Sequence, residues 1–353
     1  MTVATRRFRR LLYAAVTIAG ILGASAMLRA QRAGAAFPPR LENYLTSSVR
    51  LTAADRRALL GGAPVTKLLE GDASKEVAVF GAIWINAPVH RYVEAVEDIE
   101  TFERGAAFKV TRRISSPPGI EDFADLHLPP KDVADLRTCR VGDCEVKLSE
   151  RALHRFQTEV DWRAPNAREA VDALMRQLAL EYVTGYLEGG NERLAVYRDT
   201  SAPTDVAGEF RAMLEGMPAL ASDMPALRNY LLSYPRATLP DSTSFLYWQE
   251  TEFGLKPTIR ISHLTIHEGA DETIVASKML YASHYFWSGL ELRALIPDPS
   301  RGDGFWLVTI SRSRSDGLSG FTGMFVRRRV RTEVRQGTLT SLQATKRKLE
   351  QAR

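Results

Sequence analysis

His263 and His267 stand four residues apart in Thr258–His267, where alternating apolar residues predict a strand. At a period of two they share a face with Ile259 and Ile261. His284 follows on the next apolar segment, so the three could serve as acid/base groups, metal ligands or a polar patch in a cavity. A metal needs three or four converging ligands, and this spacing supplies two at best. Histidines hydrogen-bonded within a sheet or at its edge are the simpler reading, and no metal or other cofactor is expected. Further on, Arg312 and Arg314 lead into the polar loop Ser315-Asp316-Gly317-Leu318-Ser319-Gly320. Such a loop could act as a lid at a cavity mouth, with the arginines holding a carboxylate or phosphate head group. An arginine at the strand end paired with Asp316 is the plainer alternative.

Ten aromatic residues fall between Phe245 and Trp306, about twice the chain-wide 8%. They are Phe245, Tyr247, Trp248, Phe253, Tyr281, Tyr285, Phe286, Trp287, Phe305 and Trp306. Aromatic walls suit an apolar pocket, although aromatics also favour strands and ordinary sheet core. The candidate ligand-binding set is therefore Tyr247, His263, His267, Tyr281, Tyr285, Trp306, Arg312 and Arg314. Glu94, Glu97, Asp98, Glu100 and Glu103 read as a solvated helix face rather than paired acids. The chain contains no G-x-S-x-G elbow, P-loop or G-x-G-x-x-G. Hydrolase, kinase and dehydrogenase readings thus lack positive support, and no catalytic residue is assigned.

The elements that must position these residues follow from periodicity. Residues 37–76 read as a helical lead-in, with Thr52-Ala53-Ala54-Asp55 as a helix N-terminus stopped by Gly61-Gly62. Val77–Ile85 is a continuous apolar run rich in β-branched residues and predicts a buried strand. Pro88 then opens a helix carrying Val89, Tyr92, Val93, Val96 and Ile99. Short strands and turns fill Phe108–Val146, and residues 150–240 are mainly helical, including Ala170–Leu187. From Ser244 the period becomes two, predicting strands at Ser244–Phe253, Thr258–His267, Ile274–Trp287, Gly289–Ile296 and Phe305–Arg312. Short connections make these an antiparallel meander. A final helix is expected over roughly Met324 to Gln351. The fold class is α+β, an antiparallel sheet with a long C-terminal helix and an additional helical region.

With 353 residues, 45% hydrophobic, 25% charged and 17 Pro, the composition excludes wholesale disorder and a multi-span membrane protein. The formal charge of +5 is local. Residues 1–35 carry six arginines and no acid, leaving 5 − 6 = −1 for the rest, which argues against nucleic acid as a partner. That N-terminal segment orders Arg6, Arg7, Arg9 and Arg10, the uncharged run Leu11–Leu28, and Ala33-Gly34-Ala35. It reads as a signal peptide over residues 1–36, or as an uncleaved membrane anchor, since 18 apolar residues can just span a bilayer. Either way the body is expected outside the cytoplasm, periplasmic or secreted. In an oxidising compartment Cys139 and Cys144, flanking a Gly-Asp turn, predict a small-loop disulfide.

Val77–Ile99, with Ile85, Ala87-Pro88, Tyr92, Val96 and Asp98-Ile99, resembles the opening strand and first helix of the START-related superfamily, helix-grip proteins of polyketide-cyclase and lipid-transport type. The meander Ser244–Arg312 and the terminal helix are similar to how those domains end. The resemblance covers residues 77–353, apart from a mainly helical elaboration at about 150–240. It implies a non-catalytic binder or carrier of an apolar or amphipathic ligand, lipid above all, in a cavity between sheet and helix, with the last helix as a wall. An enzyme using the same cavity with histidine chemistry, and an envelope scaffold with a solid core, are the alternatives. The last helix also carries Arg327-Arg328-Arg329, Arg331, Arg335 and Lys346-Arg347-Lys348, a face suited to peripheral contact with an anionic membrane.

Overall fold

The computed structural model describes residues 37–105, 107–252, 256–318 and 320–351, so the N-terminal leader and Phe253 lie outside the described residues. Its centre is β2 (Glu76–Ile85), whose ten residues are all buried; after Glu76 its sequence is the unbroken apolar run that a strand covered on both faces requires. An eight-stranded antiparallel sheet runs β1-β2-β10-β9-β8-β7-β6-β3. Its members are β1 (Val65–Leu68), β2, β3 (Phe108–Arg113), β6 (Ser242–Glu252), β7 (Pro257–Glu268), β8 (Thr273–Ala282), β9 (Phe286–Pro297) and β10 (Phe305–Ser315). β4 (Val196–Tyr197) and β5 (Thr204–Asp205) form a separate small ribbon. The meander β6 to β10 thus occurs in the predicted order, and β10 closes against β2.

Two boundaries differ from the sequence reading. The lead-in is more than helical: after α1 (Pro39–Ser47) and α2 (Ala53–Leu60) it supplies β1, which pairs with β2. α2 does begin with the anticipated capping box, Thr52 and Asp55 each satisfying the other's backbone N–H. Secondly, the predicted strand Ile274–Trp287 is broken at Ser283-His284-Tyr285, where Tyr285 takes a positive φ of 60°. Ser283 supports the break by exchanging bonds with Ile259, its Oγ accepting from the Ile259 N–H. No glycine or proline marks this turn.

Helices cover both faces. On one lie α3 (Val89–Glu97), α4 (Ile99–Phe102) and the long α11 (Gly320–Gln351), packed over Ile83, Leu264, Ile266, Val275 and Leu307. α11 crosses closest at Gly81, where an added Cβ would come within 2.7 Å of Thr338 Cγ2 and 2.9 Å of Leu342 Cδ1. Only a residue without a side chain permits that approach. α5 (Pro130–Leu136), α6 (Glu150–Glu159) and α7 (Ala167–Gly189) complete the helical middle together with α8 (Val206–Glu215), α9 (Pro218–Asp223) and α10 (Pro225–Ser233). α6 and α7 pack on the opposite face over Leu246, Trp248, Ile259 and Ile261. α8 to α10 cover Ile274, Ala276, Leu290 and Leu292, and α1 covers Phe80, Trp306 and Val308. The elaboration is therefore a roof over the sheet face that α11 leaves free.

Candidate functional site

That roof has a seam. Between the cluster under α8 to α10 and the cluster under α1 lies a cavity of about 430 Å³. Its floor is the alternating outward set of two neighbouring strands, Leu292, Ala294 and Ile296 from β9 with Val308, Ile310 and Arg312 from β10. Leu41, Tyr44 and Val49 form one wall, and Met217, Pro218, Leu220 and Met224 the other. Ala294, placed between the bulkier Leu292 and Ile296, keeps the middle of the floor open.

The two ends are polar. At one, Arg40 bridges to Glu272 at 2.6 Å and donates through Nη2 to the Asp223 carbonyl at 2.8 Å, tying α1 to the β7–β8 turn and to α9. Burial raises the Glu272 carboxyl, with Arg40 pulling against it. Along the wall Lys67 donates to the carbonyls of Val49 and Arg50, at 2.8 and 2.6 Å. At the other end Arg312, 8% exposed, pairs through Nη1 with Glu76 and through Nη2 with the Glu70 carbonyl. Its buried Nε has no hydrogen-bond partner among the described residues. Gly71 makes this pairing possible, since a Cβ there would approach Glu76 Oε1 to 2.6 Å. The Tyr44 ring packs toward Phe80 at 6.5 Å. Burial pushes its hydroxyl up to about 12, against the pull of Arg312, so at neutral pH it remains a proton donor.

Of the eight candidate residues, Arg312 alone lines this cavity. Arg314, one face-repeat further on, pairs with Glu209 at 2.6 Å and approaches Glu76 at 3.7 Å. Neither arginine takes Asp316, which is held by Lys147 at 2.5 Å. The aromatic wall is a correction: Tyr247, Tyr281 and Trp306 are core residues, and none of the described strand aromatics borders the cavity. Tyr247 lies on the α11 side, bonded to Ser277 Oγ at 2.8 Å. Tyr281 packs edge-on against Tyr182 and Tyr197 beneath α7, and Trp306 against Phe37 and Trp84. Tyr285 sits half-buried in the turn beside His284. α11 is likewise no wall of the cavity, because it occupies the other face.

The histidines do not converge. His267 bonds to the Pro240 carbonyl at 2.9 Å. His284 has both ring nitrogens engaged, Nδ1 with the Glu145 carbonyl and Nε2 with buried Asp132 at 2.8 Å. His263 joins a different network, buried between α7, α10 and the sheet. Tyr186 Oη lies 3.0 Å from His263 Nδ1 and accepts a hydrogen bond from Lys278 Nζ at 3.3 Å, while Asn191 Oδ1 accepts another. Lys278 also stands over the Phe210 ring at 4.6 Å and the Tyr186 ring at 5.0 Å. With no carboxylate beside it, burial pushes its amine down to about 7. Burial, followed by the Lys278 charge, pushes His263 down to about 3. A near-neutral lysine is a usable nucleophile in principle. This one is 1% exposed and outside the cavity, so no substrate reaches it in this structure. Among the described residues no group of three His, Cys, Asp or Glu could hold a metal ion.

Cys139 and Cys144 stand at disulfide distance, their Cα atoms 4.6 Å apart across the anticipated turn, where Arg140 and Asp143 exchange backbone bonds. The cavity's own residues were hidden from sequence reading. Tyr44, Lys67 and Met217 come from segments far apart in the chain, and the one local signal was the small Ala294 within an otherwise bulky apolar alternation. Compared with protein-family models, with curated proteins and with solved structures, the chain matches none of them.

Proposed function

We propose that the protein is a non-catalytic binder or carrier of an apolar or amphipathic molecule, held in the cavity between β9, β10, α1 and α9. The observation that carries this reading is the cavity itself, about 430 Å³ of mainly apolar lining inside a sheet whose other surfaces are packed. Ligand cavities run from roughly 300 to 1,000 Å³, apolar with a few placed polar groups, and this one has that character. It opens to solvent past the exposed Arg40, Ser47, Ser48, Arg50 and Glu70, so a ligand has a way in. An enzyme using the strand histidines has less support, because His263, His267 and His284 lie in three separate networks away from the cavity. The antiparallel sheet with a long terminal helix supports kinship with the helix-grip proteins, with the chamber on the face opposite the helix. The test is Ala294→Trp, which fills the floor. Wild type purified from cells should carry an extractable amphiphile or bind a fluorescent fatty-acid probe, and the variant should lose at least about tenfold in affinity. Equal binding by both proteins would remove the cavity from the account.

Placement outside the cytoplasm belongs to the same proposal and is supported by the Cys139–Cys144 pair, which persists in oxidising compartments. Contact with an anionic membrane is supported by the front of α11. Phe325 and Val326 are exposed there beside Arg327, Arg328, Arg329, Arg331 and Arg335, with Glu333 the single acid between them. Each basic group near such a surface contributes about 1 kcal/mol. Cosedimentation of the protein with phosphatidylserine vesicles should therefore fall steeply between low and physiological salt, and neutral vesicles should bind little. Salt-insensitive binding would exclude this contact.

A further inference from the structure

We infer that the ligand is a single-chain amphiphile with a carboxylate head, bound with that head at Arg312 and Tyr44 and its chain along the β9–β10 floor. This rests on the cavity reading above and adds which class of molecule the cavity takes and which way round. The floor is elongated. Register places Ile296 opposite Trp306, six positions before Arg312, about 20 Å of strand. Between these ends the strands present only Leu292, Ala294, Ile296, Val308 and Ile310, with nothing to satisfy a polar group along the way. A volume of about 430 Å³ lies near the lower end for ligand cavities and suits one chain rather than two.

The head is assigned by asking which polar groups still have bonding capacity. Arg40, exposed to solvent, holds Glu272 and the Asp223 carbonyl, and Lys67, half-buried, gives two of its three N–H groups to carbonyls, so what these two have left over can turn to water. Arg312 differs: it is more than nine-tenths buried and, among the described residues, its Nε–H has no partner. Arginine has five donors, and the bonds to Glu76 and Glu70 do not exhaust them. Tyr44 lines the same cavity, and its hydroxyl makes no hydrogen bond among the described residues. A buried arginine and a neutral phenol lining one cavity, the phenol within reach of the arginine's charge, offer donors to an acceptor carrying negative charge. Glu76 already offsets much of the Arg312 charge, so a singly charged carboxylate balances the site better than a phosphate dianion.

The probes are palmitate, hexadecanol and hexadecyl phosphate, measured by titration calorimetry at pH 8 against wild type, Tyr44→Phe, Ala294→Trp and the double variant Arg312→Met/Glu76→Gln. The double variant removes both members of the buried pair, so no unpaired charge remains to unfold the protein. Wild type should bind palmitate at least about tenfold more tightly than hexadecanol, the worth of a charge-assisted bond. Tyr44→Phe should lose several-fold on palmitate alone, and the double variant should bind acid and alcohol equally. Equal binding of palmitate and hexadecanol by wild type, with Ala294→Trp abolishing both, would overturn the head assignment and leave the cavity reading standing. Preference for hexadecyl phosphate would overturn the carboxylate. Failure of all three probes to bind, or binding indifferent to Ala294→Trp, would overturn both.

Discussion

Glu76→Gln is expected to lower folding stability by roughly 3–5 kcal/mol, the usual cost of removing one partner from a buried ion pair. Glu76 is 4% exposed at the start of β2 and faces two arginines of β10, Arg312 and Arg314. Arg314 keeps Glu209 at 2.6 Å in the variant, whereas Arg312 is left with backbone alone. Most of the loss should therefore arise at Arg312. The double variant Arg312→Met/Glu76→Gln should recover much of it, because a neutral pair costs less to bury than a lone cation. Urea denaturation of the three proteins measures this. Additive losses would show that the two residues are not energetically coupled.

Lys278→Met is expected to act in the opposite direction, raising stability by roughly 1–4 kcal/mol at pH 6. The folded protein must either bury the Lys278 ammonium without an anion or release its proton. Its folded-state value of about 7 lies below the ordinary lysine value, so between these limits the unfolded chain holds a proton that the folded chain has released. Stability of the wild type should accordingly rise with pH from about 7 to about 10, and be flat in that window for the methionine variant. His263 adds a separate slope in the same sense. Its folded value of about 3 lies below the ordinary imidazole value, so stability falls as pH drops from about 6.5 toward 3. Thermal unfolding midpoints across pH 4–10 would register both slopes. A wild-type curve flat above pH 7 would mean that Lys278 is charged and compensated in the folded state.

The fold is more legible in the sequence than the site is. The buried strand at β2, the Thr52 cap, the meander and the terminal helix are local patterns, each written in a few consecutive residues with period two or 3.6. Whether an aromatic on such a strand fills core or lines a cavity depends on what covers that face. For Tyr281 the cover is α7, a hundred residues earlier, and for Trp306 it is Phe37 at the start of the described chain. Arg312 was visible as a candidate because it sits near a strand end, but its partner Glu76 is 236 positions away, and no spacing rule reaches that far. The roof explains the misplaced cavity as well. Sequence marked residues 150–240 as helical, yet only packing decides that α8 to α10 and α1 meet imperfectly over Ala294.

If the seam over β9 and β10 holds a ligand, native mass spectrometry of the protein as purified, wild type beside Ala294→Trp, will show it. Wild type should carry an adduct of defined mass, released by organic extraction and identified as an amphiphile, and the variant should lack it. A wild-type protein that is empty and takes up no palmitate, or an adduct retained by Ala294→Trp, would contradict the cavity reading.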